Sequence, residues 1–235
     1  MRDFSIVLAS GSGMRFGSKE IPKHLTLINN VPSIIWTLKN IIDSQIYSKI
    51  IIVTKESNSS ETKKCISDYY QIDNNNIVFA IGANTRMNTF FEGLRILEKN
   101  IKLNCQDLLH LIDANRPFTP SSQYIELSKT ALLSKCACPV RGIVDGIALV
   151  KDNQIIKVPL KSEYFHFVTP EVIEYGILKK SNSLNDKVLN SLVEYALAVE
   201  CKPNYIYSTD LNHKLTYKED LSFFEQLIKK YNINF

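Results

Sequence analysis

Near the start of the chain, Ala9-Ser10-Gly11-Ser12-Gly13-Met14-Arg15 combines small side chains with a guanidinium. Gly, Ser and Ala let backbone N–H groups come close to an anion. Arg15, two positions past Gly13, adds a planar fork of donors, and Lys23, after Pro22, adds a compact positive charge. A loop that binds a dinucleotide pyrophosphate usually runs straight into its helix and relies on backbone amides. The added Arg and Lys instead suit a triphosphate whose charge changes during reaction. Gly-x-Gly alone does not name the anion, and a tight strand-to-helix turn is its ordinary structural use.

These residues need a scaffold, and the hydrophobic pattern supplies one. Phe4–Ala9 and Ser48–Thr54 are short, largely apolar runs that suit parallel strands covered on both faces. Asn76–Ile81 and Asp107–Ile112 are two more, the second ending at Asp113. Between them, Val31–Ser44 carries a helical stripe of Ile34, Ile35, Leu38, Ile41 and Ile42. Ser60–Tyr70 reads as a helix opened by a Ser cap, and Thr85–Lys99 as a helix with Phe90, Phe91, Leu94 and Leu97 inward. This β-α-β-α order predicts an α/β, Rossmann-like domain, with a mainly parallel sheet and helices on both faces. Ligands bind such sheets at the carboxyl ends of the strands, where both the glycine loop and Asp113 fall.

Downstream, Ser134–Val150 and Asn153–Val158 read as strands joined by Lys151-Asp152-Asn153, a protruding β-hairpin arm over 134–158. Thr169–Lys180, Asn185–Val199 and Tyr217–Tyr231 read as helices, the last started by a Thr216/Glu219 capping box. With no repeat or Pro/Gly linker, residues 1–235 form one expected domain.

Lys and Arg number 28 against 24 Asp and Glu, a net charge of +4, and 45% of residues are hydrophobic. That composition excludes a disordered chain. The lysines are spread along the sequence rather than gathered in a basic stripe, so no nucleic-acid partner is expected. No apolar run approaches the roughly 18 residues of a membrane span, and no long signal-type segment opens the chain. A soluble, cytoplasmic protein is expected. Five scattered cysteines do not make a disulfide framework, and Cys136-x-Cys138 is too short for the usual zinc pair. His24, His110, His166 and His213 lack ligand-like spacing and read as structural or peripheral.

The loop, together with Pro22-Lys23-His24, resembles the A-A-G-x-G-x-R and P-K-Q segments of the cytidylyltransferases that act on methylerythritol phosphate and ribitol phosphate. Four later segments resemble that family in order. They are Gly82-Ala83-Asn84-Thr85-Arg86-Met87-Asn88-Thr89, Asp113-Ala114-Asn115-Arg116-Pro117-Phe118, Val168-Thr169-Pro170-Glu171, and Asn212-His213-Lys214-Leu215-Thr216 with Glu219-Asp220-Leu221. The resemblance implies transfer of CMP from CTP to a phosphorylated alcohol, with Mg2+ on the phosphates and pyrophosphate released. It implies that Lys23 and Lys214 flank the α-phosphate and that Arg15 holds the β/γ-phosphates. Ala9, Ser10, Gly11, Ser12 and Gly13 would line the nucleotide, with Ala83, Asn84 and Thr89 near the base. Asp113 would orient the ribose or share the metal, while Arg116, Lys161 and Thr169 would face the acceptor. A homodimer through the arm is implied as well.

The chain departs from the pattern mainly on the acceptor side. Ile112 stands where a His precedes the strand-end Asp, His24 and Glu171 replace Gln, and only Gly82 remains of a Gly-Gly pair. Pro139-Val140-Arg141-Gly142-Ile143-Val144-Asp145 lacks the family's Asp-Thr. Lys161 takes the place of an arginine ahead of Phe165, and Asp186-Lys187-Val188-Leu189 lacks a Ser. These losses predict an unchanged CTP reaction with a different polyol or sugar phosphate as acceptor, against methylerythritol phosphate itself as the alternative. Two rivals come from other classes. Tyr175-x-x-x-Lys179 with Ser162 upstream has the spacing of an NAD(P)-dependent short-chain reductase, though the glycine spacing differs. A catalytically silent nucleotide-binding protein would also keep the fold. Guanylyl-transferring enzymes share the loop but not the later motifs.

Overall fold

The computed structural model describes residues 1–11, 16, 21–73, 76–184 and 189–235. The chain runs β1 (Asp3–Ala9), a small β2 (Leu27–Ile28) and β3 (Val31–Pro32) pair, α1 (Ser33–Asp43), β4 (Tyr47–Thr54), α2 (Ser59–Ser67), β5 (Ile77–Ile81), α3 (Arg86–Asn100) and β6 (Leu108–Asp113). It continues through α4 (Ser121–Ser134), β7 (Cys136–Gly142), β8 (Leu149–Lys151), β9 (Gln154–Lys157), β10 (Phe165–Phe167), β11 (Glu171–Glu174), α5 (Tyr175–Leu184), α6 (Leu192–Leu197), β12 (Asn204–Tyr207) and α7 (Asp220–Tyr231).

The main sheet has the order β10-β7-β11-β6-β1-β4-β5, with β12 also paired to β7. β5, β4, β1 and β6 are parallel to one another. β11 inserts antiparallel between β6 and β7, and β10 is antiparallel to β7. Side-chain alternation explains why the apolar runs have no polar face. Phe4, Ile6, Ile51 and Val53 enter one core with Phe90, Leu94 and Leu97 of α3. Val7, Ala9, Ile50 and Ile52 enter the opposite core with Ile34, Ile35, Leu38 and Ile41 of α1. Both faces are therefore covered, as expected of an α/β sheet. A third cluster packs Phe224 and Leu227 of α7 onto Trp36, Phe118 and Leu215.

Several elements differ from expectation. Thr169–Lys180 is not one helix: Glu171–Glu174 is β11, where Val172 and Ile173 are fully buried between two strands, and α5 follows. Tertiary pairing overrides the local pattern there. The long strand over 134–150 breaks after Gly142, and β8 and β9 form a separate two-stranded sheet whose residues are all exposed. Of the helix expected over 185–199, Leu192–Leu197 forms α6, and residues 185–188 lie outside the described set. α4 carries no clear apolar stripe because Gln123 and Ser128 share its buried face with Tyr124, Leu127 and Ala131. The cap of α2 is Asn58, without a side-chain bond, rather than a Ser. The Thr216/Glu219 box gives way to Asp220, whose Oδ2 accepts from the Thr216 N–H at 2.6 Å and the Tyr217 N–H at 2.9 Å. Among the described residues, no helix is long and apolar enough to cross a membrane.

Candidate active site

β1, β4, β5 and β6 all end at one cavity of about 600 Å³. Its lining includes Ala9, Ser10 and Gly11 after β1, Lys55 and Glu56 after β4, Gly82 through Arg86 after β5, and Asp113 at the end of β6. Lys23 and His24, from a short 3-10 turn, and Lys214 complete the wall. The crevice outside the carboxyl ends of parallel strands is thus built by loops from opposite ends of the sequence.

Asp113 is the electrostatic centre. Its Oδ2 accepts from Lys214 Nζ at 2.7 Å and from Thr169 Oγ1 at 2.8 Å. Arg116 Nε lies 3.5 Å from Oδ2, and Arg86 Nε lies 3.8 Å from Oδ1. Burial would push this carboxyl up, but Lys214, then Arg86 and Arg116, outweigh it and hold it well below the usual carboxylate range. Asp113 is therefore ionised at any working pH. Lys214 is delivered to it by a short clamp: Leu215 N–H donates to Asn115 O at 2.9 Å, and Asn115 Nδ2 donates to Leu215 O at 2.8 Å.

Arg86 reaches from the first turn of α3, a helix capped by Thr85 Oγ1 accepting from the Asn88 N–H at 3.2 Å. Its Nη2 donates to Glu171 Oε1 at 2.8 Å, and its Nη1 to Asn190 O at 3.2 Å. Glu171 is fully buried, and that burial raises its carboxyl despite Arg86 and the Leu192 and Val193 amides. The wall that carries Ser10 and Ala83 holds a polar knot around Thr89. Thr89 Oγ1 donates to Ala83 O at 3.0 Å, accepts from Ala83 N–H at 3.2 Å and lies 3.2 Å from Ser10 Oγ.

The residues singled out from the sequence fall into groups. Ala9, Ser10, Gly11, Lys23, Ala83, Asn84, Thr89, Asp113 and Lys214 all line the cavity. Ser12, Gly13 and Arg15 lie outside the described residues, as do Asp186, Lys187 and Val188. Thr169 and Arg116 sit behind Asp113 rather than on the cavity wall. Arg116 is buried, with Nε donating to Thr169 Oγ1 at 2.6 Å and Nη1 to Asn212 O at 3.0 Å. Lys161 is exposed, its Nζ donating to Val144 O at 2.8 Å, and is not part of the cavity within one chain.

Arg86 lies within the Gly82–Thr89 segment, and its offset from Gly82 is the signal the sequence offers for it. Lys55 and Glu56 had no signal beyond following a strand. Among the histidines, His24 lines the cavity and its Nε2 is 2.8 Å from Thr62 Oγ1, while His110 is buried against Asp3 and Tyr47. Tyr175 of the reductase-type spacing donates to Glu98 Oε1 at 2.7 Å, away from the cavity, and Ser162 and Lys179 are exposed. Among the described residues, no group of three or more His, Cys, Asp or Glu side chains is placed to hold a metal by itself.

Comparison with known proteins identifies the family. Residues 4–230 match the model of the IspD family, 2-C-methyl-D-erythritol 4-phosphate cytidylyltransferase. The chain is 29% identical over 233 residues to a protein of that name from Carboxydothermus hydrogenoformans, covering 96% of this chain and 95% of the relative. It is 27% identical over 229 residues to one from Clostridium beijerinckii, covering 96% and 97%. In fold it is similar to the 4-diphosphocytidyl-2C-methyl-D-erythritol synthase of Anaerococcus prevotii, with a TM-score of 0.77 at 18% identity over 97% of this chain and 96% of that one. It is also similar to the 2-C-methyl-D-erythritol 4-phosphate cytidylyltransferase of Francisella tularensis, with a TM-score of 0.76 at 22% identity over 99% and 100%. With a match that spans nearly all its length and a cavity where the nucleotide-side motifs converge, the chain belongs to the 2-C-methyl-D-erythritol 4-phosphate cytidylyltransferase family and is a CTP-dependent cytidylyltransferase.

Proposed function

We propose that this enzyme moves CMP from CTP onto the phosphate of a phosphorylated polyol. A phosphate oxygen of the acceptor attacks the α-phosphorus in line, the bond to the β-phosphate oxygen breaks, and pyrophosphate leaves. The observation that carries this reading is the convergence of Lys23, Lys214, Gly11 and Asp113 on one cavity at the strand ends. Such chemistry needs positioning and charge rather than a covalent nucleophile. Lys23 and Lys214 stabilise charge gained at the α-phosphate, Arg15 holds the leaving pyrophosphate, and Gly11, Ser12 and Gly13 donate backbone N–H groups. Arg116 and Thr169 hold Asp113 and Lys214 in register for the acceptor.

The donor set suits Mg2+, which commonly takes one or two carboxylates and completes its shell with substrate phosphates and water. Asp113 Oδ2 carries the Lys214 and Thr169 bonds, whereas the ion pair of Oδ1 to Arg86 is 3.8 Å long, leaving that oxygen able to serve a cation. Bound there, the metal would neutralise phosphate charge.

The names of the relatives favour 2-C-methyl-D-erythritol 4-phosphate as the acceptor. A second reading, another polyol or sugar phosphate, is favoured by Lys161 in place of an arginine fork and by the missing Asp-Thr after Arg141. Pyrophosphate release measured with CTP, Mg2+ and a panel of polyol and sugar phosphates tests both. Turnover with methylerythritol phosphate alone sinks the second reading, and no turnover with any member of the panel sinks the first as well. Leu149, Val150, Ile155, Ile156 and Val158 are exposed apolar side chains on and beside the β8–β9 hairpin, which supports a homodimer through that arm. Light scattering of the intact protein tests this. The five cysteines are free thiols, which supports a reducing, cytoplasmic setting.

A further inference from the structure

Glu171 is buried and does not line the cavity, yet it holds a side chain that does, Arg86. Its Oε1 accepts from Arg86 Nη2 at 2.8 Å, and its Oε2 accepts from the Leu192 N–H at 2.7 Å and the Val193 N–H at 3.4 Å. All three partners can only donate, so the position takes two acceptor oxygens, which a carboxylate supplies. The glutamine of the resembling pattern would turn its amide N–H groups against either Arg86 or the start of α6. Arg86 itself stands between two anions. Its fork is within hydrogen-bond distance of Glu171 and of Asn190 O, but its Nε stops 3.8 Å from Asp113 Oδ1. Lys214 is therefore the nearest of the three cations around Asp113, with Nζ 2.7 Å from Oδ2. Thr169 also donates to Oδ2, at 2.8 Å. The two residues that flank Pro170 thus bear on one carboxylate, Thr169 directly and Glu171 through Arg86.

We infer that Glu171 is a positioning residue: by holding the Arg86 fork it keeps that guanidinium off Asp113, so that Asp113 is left to orient Lys214 for nucleotide transfer. This rests on the nucleotide-transfer reading and deepens it. Glu171 and Asp113 compete for one cation. With Glu171 made neutral, Asp113 is the nearest anion left to Arg86, and a movement of about 1 Å would bring Nε within hydrogen-bond distance of Oδ1. The carboxylate would then turn toward the guanidinium and loosen its hold on Lys214. A misplacement of about 1 Å around a reacting centre can cost about 10²-fold in rate. The resembling pattern carries Gln at this position, so the carboxylate and the division of labour it sets up belong to this chain.

The test is steady-state pyrophosphate release with CTP, Mg2+ and the panel acceptor that the unmodified enzyme turns over fastest. Four proteins are compared: the unmodified enzyme, Glu171→Gln, Arg86→Met and the double variant. Glu171→Gln should lower kcat about tenfold or more while the CTP KM stays within about threefold. Arg86→Met removes the competing cation, so adding Glu171→Gln to it should change kcat by less than about twofold. An unchanged kcat in Glu171→Gln overturns the inference, as does a raised CTP KM with kcat unchanged, which marks a loosened wall instead. A loss of kcat from Glu171→Gln that is equally large with and without Arg86 refutes it too. If Glu171→Gln does not fold, Arg86→Lys decides the matter. One ammonium cannot hold Glu171 and Asn190 O together as the fork does, so kcat should fall about tenfold, and an unchanged kcat sinks the inference. Each of these failures leaves CTP turnover by the unmodified enzyme standing. Absence of both turnover and CTP binding in that enzyme overturns this inference and the nucleotide reading together.

Discussion

Replacing Asp113 by Asn removes one negative charge from among three cations without changing side-chain volume. Lys214 and Arg86 are each about one third exposed, at 35%, while Arg116 is 7% exposed. Deleting one partner of a buried ion pair costs about 3–5 kcal/mol. Because water screens two of the three cations, the lower end, about 3 kcal/mol, is the appropriate figure. The Asn amide adds to this, since its N–H groups must face donors on Lys214, Thr169 or Arg86. For a chain of this size each kcal/mol moves Tm by roughly 2–4 °C, so Asp113→Asn should lower Tm by about 6–12 °C near neutral pH. The pH dependence has a fixed sign. The folded carboxyl titrates below its unfolded value near 3.9, so its contribution is complete above that value and is lost as pH falls below it. Scanning calorimetry of both proteins should therefore show a constant Tm gap from pH 8 to pH 5 and a narrowing gap below pH 4. A gap under 2 °C, or one that widens in acid, would refute the assignment of Asp113 as the charge that holds these cations together.

Three other outcomes follow from the same coordinates. Gly82→Ala drives a Cβ to 2.9 Å from Thr89 Cγ2 and 3.1 Å from its Oγ1, so steady-state kinetics should show the CTP KM rising about tenfold with a smaller change in kcat. Lys214→Met should lower kcat by roughly 10²-fold or more while Tm falls less than in Asp113→Asn, because Arg86 and Arg116 still compensate the carboxylate. Burial first, then Lys23, lowers His24 to about 4, so the folded protein keeps the ring neutral while the unfolded chain protonates it near 6.5. Stability is then full above pH 6.5 and declines as pH falls toward 4, by about 2 kcal/mol at pH 5. A Tm series from pH 7 to 5 should lose most of that acid slope in His24→Gln.

The half of the fold that builds the cavity was legible because its strands are buried on both faces. Runs such as Phe4–Ala9 and Ser48–Thr54 have no polar face, and each ends at a residue that turns out to line the cavity or adjoin its wall. The second half was less legible because its elements owe their state to partners far away. Glu171–Glu174 extends only because β6 and β7 flank it, and α4 buries Gln123 and Ser128 where periodicity looks for apolar residues. Lys214 could not be paired with Asp113 from spacing, since 101 residues separate them; the resemblance put both in one site but gave them separate roles. Arg116 stands three residues after Asp113, a spacing that allows their pairing across the turn, but nothing local reveals that Thr169 and Asn212 enclose it.

That enclosure changes what the acceptor-side motifs do. Arg116 donates to Thr169, Thr169 donates to Asp113, and Asp113 accepts from Lys214, so one chain of polar contacts ends on a lysine of the cavity wall. Asn212 closes it from behind, its Nδ2 donating to Thr169 O at 2.9 Å while its own carbonyl accepts from both Arg116 and Arg141. An ammonium has three N–H groups, so in the proposed reaction Lys214, held by one on Asp113, would have two to offer phosphate oxygens and would enter it already oriented. On the proposed function, Arg116 and Thr169 would act through that orientation and not from the cavity wall, which neither of them lines. A change of acceptor leaves such a chain intact, because the same α-phosphate must be served whatever attacks it. Two of the departures from the family pattern, the missing Asp-Thr after Arg141 and the lysine at Lys161, lie outside this chain of contacts, and a different polyol phosphate would be recognised there.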